Sequence, residues 1–169
     1  PRVELAIRSV FNMLGPLSNP AMVNRLMVGV FAPEWVEPVA RVLGELGADR
    51  AWVVHGAGGL DELATNGPAS VASLEGGEVT TFEVTPEDAG LERCDLSELQ
   101  GGDAEFNAAA LTSLLAGNPS AYRDTVLFTS AAALIVAGKA DNLKAGASIA
   151  AQSIDSGKAR GALDRMIEI

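Results

Sequence analysis

LMVGVFAPEWVEPVARVLGELGADRAWVV, residues 26–54, is the stretch that decides the fold. Residues 26–31 form a compact apolar run that suits a buried strand, and Pro33 just beyond it stands where a helix starts well, because its fixed φ already matches the first helical turn. Across 33–46, Val36, Val39, Ala40, Leu43 and Leu46 recur at steps of three and four, with Glu34 in the first turn and Gly47 as the stop. That spacing predicts an amphipathic helix. Residues 51–54 (AWVV) then read as a second buried strand, and the connection between the two strands is long enough for a parallel crossover. The expected class is α/β.

Residues 70–85 change character: SVASL, the turn residues EGGE, then VTTFEVT, in which Val79 and Thr81 alternate with Thr80, Phe82 and Val84. Glycines between two β-prone runs predict a hairpin. From Pro86 to Gly102 the chain is loop-rich, and Asp103 is placed to cap a helix over 104–116. Three further Ala-rich helices are expected over 121–137, 142–156 and 158–167, separated by Gly138 with Asp141 and by Gly157. The predicted architecture is a partly parallel sheet with flanking helices plus a β-hairpin, without internal repeats, heptads or flexible linkers.

A chain of 169 residues, 48% of them hydrophobic, is enough for one packed domain. Acidic residues outnumber basic ones by 22 to 12, and a net charge of −10 repels a polyanion, so no nucleic-acid partner is expected. The single cysteine, Cys94, excludes an internal disulfide framework and a cysteine-rich zinc site and fits a reducing compartment, with the cytoplasm as the default location. The longest uncharged apolar run, residues 125–138, falls short of the ~20 needed to span a bilayer, and no signal-peptide pattern opens the chain. No membrane association is expected. The first residue is Pro1, and the chain enters at once into ELAIRSVFNMLGPL, as expected of a piece of a longer polypeptide.

In open α/β sheets ligands bind beyond the carboxyl ends of the strands, and VVHGAGGLDEL (53–63) leaves the second strand at that end. Its glycines suggest a phosphate loop, yet G-x-G-x-x-G would need glycine where Asp61 stands, and the Walker A lysine has no counterpart. Two readings of Asp61 and Glu62 stay open. Adjacent carboxylates suit hard divalent cations such as Mg²⁺, which takes one or two of them and fills its shell with water and substrate phosphates. Alternatively they sit at the positive end of a following helix, worth roughly 0.3 to 1 kcal/mol each. His55, the only histidine, reads first as a polar group ending a strand and bonded to backbone. Arg8, among the apolar residues of IRSVFNMLGPLSNPA (7–21), either grips a carboxylate through paired hydrogen bonds or covers the core with its stem. GPLSNP forces a rigid turn, since Pro16 and Pro20 fix φ. GGDAEFNA (101–108) is explained by helix capping, and Cys94, in the polar loop LERCDL, has no assigned role.

IRSVFNMLGPLSNPA, VVHGAGGLDEL, TPEDAGL, GGDAEFNA, AAALIVAGKADNLKAG and SIDSGKA follow one another across nearly the whole chain. Together they resemble the anthranilate phosphoribosyltransferase family of tryptophan biosynthesis. The resemblance implies transfer of a 5-phosphoribosyl group from 5-phosphoribosyl diphosphate to the amine of anthranilate, release of pyrophosphate, and Mg²⁺ as cofactor. It implies that Asp61 and Glu62 are magnesium ligands and that Arg8 contacts anthranilate; the sequence itself offers no compelling general base. It further implies that residues 1–169 are the C-terminal portion of the large α/β domain, a truncated nucleoside phosphorylase/phosphoribosyltransferase-type catalytic domain. The family's helical domain, its GTGGD diphosphate loop and most of its homodimer contact would lie upstream of Pro1, so the 169 residues alone are expected to be inactive. The alternatives are a non-catalytic nucleic-acid-binding relative on the same fold, against which the charge argues, and a pyrimidine nucleoside phosphorylase relative, which is not expected to carry GPLSNPA and GLDEL in this order.

Overall fold

The structure, a computed structural model, describes Gly15, Leu17, Ser18 and residues 21–168. The segment that decided the fold class forms strand β1 (Arg25–Gly29), a 3-10 turn (Pro33–Trp35), helix α1 (Val36–Glu45) and strand β2 (Arg50–His55), with β1 and β2 parallel and Arg25 opposite Arg50. The helix predicted as one piece from Pro33 is a 3-10 turn followed by an α-helix. The reason is Pro38: with no N–H it cannot donate to the carbonyl of Glu34, so the α-helical ladder cannot begin before Val36. Val36, Val39, Ala40 and Leu43 are buried as the periodicity predicts, whereas Leu46 falls at the helix end and is exposed.

Two further strands, β3 (Ala69–Glu75) and β4 (Glu78–Val84), form the hairpin, closed by Gly76 and Gly77 with φ of 59° and 84°. Positive φ at both positions is what a two-residue turn matching the sheet's twist requires, and glycine adopts it without strain. β3 pairs antiparallel with β2, His55 opposite Ser70, so the sheet runs β1-β2-β3-β4 and is parallel only between its first two strands. This is the partly parallel sheet that the sequence predicts.

Because side chains alternate along a strand, each strand feeds two cores. Ala51, Val53, Ala72 and Leu74 face α1, together with Val28 and Val30. Trp52, Val54 and Val71 face the opposite side, against Phe128, Ala131 and Ala132 of helix α3 (Ala121–Val136). Phe128 is completely buried, a burial worth about 1.5–3 kcal/mol for a side chain of that size. Helix α4 (Leu143–Asp155) lies on α3 at close range, since a Cβ on Gly146 would come within 2.7 Å of the Ala131 Cα. Helix α2 (Ala104–Leu115) contributes Leu114 to a smaller cluster with Leu127 and Ile154, and α5 (Lys158–Ile167) ends the described chain.

The caps follow the sequence closely. Asp103 accepts from the Phe106 N–H at 2.9 Å and Ser120 from the Arg123 N–H at 3.0 Å. Gly138 ends α3 with φ 69°, but α4 is capped by Asn142, which accepts from the Ala145 N–H, and not by Asp141. Asn107 closes GGDAEFNA by bonding both the N–H and the C=O of Gly102, so this motif is the capping structure expected of it. On α3, burial raises the Asp124 carboxyl above its ordinary range, with the Arg123 charge pulling it back down. Among the described residues no helix is long and apolar enough to cross a membrane.

Candidate functional site

The chain leaves β2 at His55 and returns to the sheet at β3, and residues 56–68 cross the carboxyl ends of both parallel strands. His55 donates from Nδ1 to the Val30 carbonyl at 2.8 Å, which ties the exits of β1 and β2 together. It is the backbone-bonded group that the sequence suggested. Beyond it, Gly58 and Gly59 take φ of 72° and 81°, and the Gly56 N–H donates to the Leu60 carbonyl at 2.8 Å, folding the loop back on itself.

Asp61 and Glu62 sit at the crest of this loop. The account that places them at the start of a helix fails, because residues 60–68 are irregular and the next α-helix begins at Ala104. Instead, their backbone rests on glycines of the strand ends. A Cβ on Gly29 would lie 1.5 Å from the Asp61 carbonyl oxygen, and one on Gly56 would lie 2.2 Å from that of Glu62. Both contacts are far inside van der Waals range, so only glycine lets the acidic loop lie this low over the sheet.

The far side of the crest is pinned to α3. Leu63, Ala64 and Thr65 are almost fully buried, the Thr129 hydroxyl donates to the Leu63 carbonyl at 2.8 Å, and the Thr65 N–H donates to the Thr125 hydroxyl oxygen at 3.3 Å. The Thr65 and Thr125 hydroxyls are 3.0 Å apart. Cys94 joins this cluster, its N–H donating to the Thr65 carbonyl and its Sγ lying 3.2 Å from the Thr65 hydroxyl. The cysteine without a sequence-based role is therefore part of the loop's anchor.

With the backbone held on both sides, the two carboxylates are exposed and make no hydrogen bond or ion pair with another described side chain. Glu62 borders an open groove of about 470 Å³ between the loop, the 3-10 turn Leu96–Leu99 and α3, lined by Leu60, Leu99, Tyr122, Val126, Thr129 and Ser130 among others. Among the described residues no group of three or more His, Cys, Asp or Glu side chains is arranged to hold a metal ion. Two free carboxylates nevertheless fit the needs of Mg²⁺, an oxygen-seeking ion that retains several waters and uses few protein ligands. Arg8 lies outside the described residues, and of GPLSNP only Gly15, Leu17 and Ser18 are described, with the Ser18 N–H donating to the Gly15 carbonyl.

The sequence placed Asp61 and Glu62 at the correct end of the sheet, but Gly29, Thr125 and Thr129 were missed. These residues reach the loop across long gaps in the chain, 66 residues between Leu63 and Thr129, and no local pattern announces such a contact.

Comparison with known proteins points one way. The family model described as "Glycosyl transferase family, a/b domain" matches residues 1–160. Anthranilate phosphoribosyltransferases of Rhodopseudomonas palustris (strain BisB5) and Brucella canis are 58% and 59% identical over 168 residues, covering 99% of this chain and 50% and 49% of theirs. The chain thus spans about half the length of the curated relatives it matches. Among solved structures, anthranilate phosphoribosyltransferase from Thermus thermophilus matches with a TM-score of 0.88 at 42% identity, over 97% of this chain and 48% of that one. The Saccharomyces cerevisiae enzyme in complex with PRPP and Mg matches with a TM-score of 0.87 at 30% identity, over 99% of this chain and 48% of that one. These relatives bear out the resemblance carried by the quoted motifs. A model match over nearly the whole sequence, joined to the same fold, establishes that the chain belongs to the glycosyl transferase family by its a/b domain.

Proposed function

We propose that residues 1–169 form the C-terminal portion of the α/β domain of an anthranilate phosphoribosyltransferase, a cytoplasmic and homodimeric enzyme of tryptophan biosynthesis. In this reading Asp61 and Glu62 hold Mg²⁺ against the diphosphate of 5-phosphoribosyl diphosphate. The observation that carries it is the pair of free carboxylates seated on Gly29 and Gly56 at the carboxyl ends of the parallel strands, the end where open α/β sheets bind ligands. The 58% identity to enzymes of that name supports the substrate pair.

Bound there, Mg²⁺ would neutralise the charge that develops on the departing diphosphate. The chain's own part is positional. The loop holds two negative charges at the end of the sheet, and its backbone anchors to Gly56 and Thr129 fix where they are presented. The attacking arylamine is neutral and nucleophilic without a strong base, so orientation and charge neutralisation carry the rate. Arg8 grips the anthranilate carboxylate in this reading.

The test is an assay of the intact protein with anthranilate, 5-phosphoribosyl diphosphate and Mg²⁺, followed by the loss of anthranilate fluorescence. Turnover is expected, and it should vanish on chelation with EDTA and return with added Mg²⁺. No turnover, or turnover indifferent to EDTA, overturns the proposal. The isolated 169 residues, which span about half the relatives' length, are expected to show none, since in this reading most of the diphosphate cradle lies outside them. Arg8→Ala in the intact protein should raise KM for anthranilate roughly tenfold or more, as expected for the loss of a charge-assisted pair of about 1.5–3 kcal/mol. KM for the diphosphate should stay nearly constant, and an equal rise in both would remove Arg8 from the anthranilate site.

A further inference from the structure

We infer that Thr129 is the positioning residue of the acidic pair, and that its hydroxyl fixes Glu62 at the edge of the groove. The inference rests on the metal-binding reading above. Leu63, the residue directly after Glu62, is completely buried, and its carbonyl is met by the Thr129 hydroxyl at 2.8 Å. Thr129 comes from the middle of α3, whose inner face is fixed by Phe128, Ala131 and Ala132 in the main core. The hydrogen bond therefore ties the acidic loop to a helix packed into the main core.

On the other flank, the Gly56 N–H holds the Leu60 carbonyl at 2.8 Å. Asp61 and Glu62 are thus suspended between two backbone anchors, one local and one contributed by α3. One turn before Thr129 on α3, Thr125 accepts from the Thr65 N–H, so two successive turns of the helix hold the chain at Leu63 and Thr65. Thr129 and Glu62 border the same groove, so a ligand bound to the carboxylate would lie within sight of the residue that orients it. Thr129 touches no reacting atom in this account. It acts through the backbone of Leu63.

Two substitutions separate the hydrogen bond from the packing. Thr129→Val keeps the branched shape and removes the donor, leaving a buried carbonyl unpaired; Thr129→Ser removes a methyl and keeps the donor. In the intact protein, titration with Mn²⁺ followed by the electron paramagnetic resonance of the free ion reads the acidic pair directly. Thr129→Val is expected to weaken Mn²⁺ binding by about three- to tenfold, and Thr129→Ser to restore it to within about twofold. Asp61→Asn with Glu62→Gln, titrated in parallel, should weaken it further than Thr129→Val does. Unchanged affinity in Thr129→Val beside lost affinity in the carboxylate variant overturns the positioning role alone. Equal losses in Val and Ser also overturn it, by assigning the effect to packing. Wild-type affinity in the carboxylate variant, or no Mn²⁺ binding by the unaltered protein, overturns the metal reading and the role of Thr129 with it.

Discussion

Asp61→Asn combined with Glu62→Gln is expected to lower kcat/KM for 5-phosphoribosyl diphosphate by about a hundredfold or more in the intact protein, while thermal stability stays within about 0.5 kcal/mol of the parent. The two halves of this expectation come from the same geometry. Both side chains are exposed and bond to no other described side chain, so the isosteric amides break nothing in the fold. What changes is charge alone. A divalent cation loses two anionic ligands, and replacing a charged partner by a neutral one costs roughly 1.5–3 kcal/mol per interaction, enough for the stated rate loss at ~1.4 kcal/mol per tenfold. The concentration of Mg²⁺ needed for half-maximal activity should rise in step. Wild-type kinetics at every Mg²⁺ concentration would strip Asp61 and Glu62 of a metal-binding role, and a large fall in melting temperature would mean that the loop needs them structurally.

The second large effect falls on a residue with no functional group. Gly29→Ala should destabilise the protein by about 1–3 kcal/mol and also depress kcat/KM. The new methyl group would start 1.5 Å from the Asp61 carbonyl oxygen, so the loop must rise by about 2 Å or β1 must move away from β2. The second option sacrifices the parallel pairing of β1 with β2, and the irregular loop is the softer element. The carboxylates are then carried out of register with the sheet, and a displacement of about 1 Å is enough to cost about a hundredfold in a positioned reaction. Urea unfolding reads the first effect and steady-state kinetics the second. Parental values of both would show that the loop does not depend on the gap above Gly29. Gly58 and Gly59 differ in kind, because they are held by positive φ and Gly29 by lack of space.

Gly29 also marks how far the sequence could be read. The strand-helix-strand unit was legible because each part repeats a local rule: an apolar run, a three-and-four spacing, a second apolar run. The hairpin was legible from two adjacent glycines between β-prone runs, and the caps at Asp103 and Gly157 from residue type alone. Pro38 shows a rule that was present but unused, since its missing N–H delays α1 by a turn. The surroundings of the acidic loop were not legible. Glycines after a strand followed by two acids look like the entry to a helix, yet the backbone there is committed to contacts with Gly29, Thr125 and Thr129 that lie 32 to 66 residues away. Tertiary packing overrode the local signal, and neighbouring residues carry no trace of it.

The antiparallel register of β2 and β3 has a practical consequence at the other end of the sheet. Ser70 opposes His55 and Glu75 opposes Arg50, so the Gly76–Gly77 turn emerges beside the start of β2, roughly 17 Å along the strand from the acidic loop. A Cβ at either turn glycine would meet no neighbouring atom, and β4 is an edge strand whose outer face is largely solvent. A short peptide inserted between the two glycines would lengthen an open turn while leaving every anchor of the acidic loop in place. The molecule therefore carries its own attachment point, remote from the acidic loop by the length of a strand.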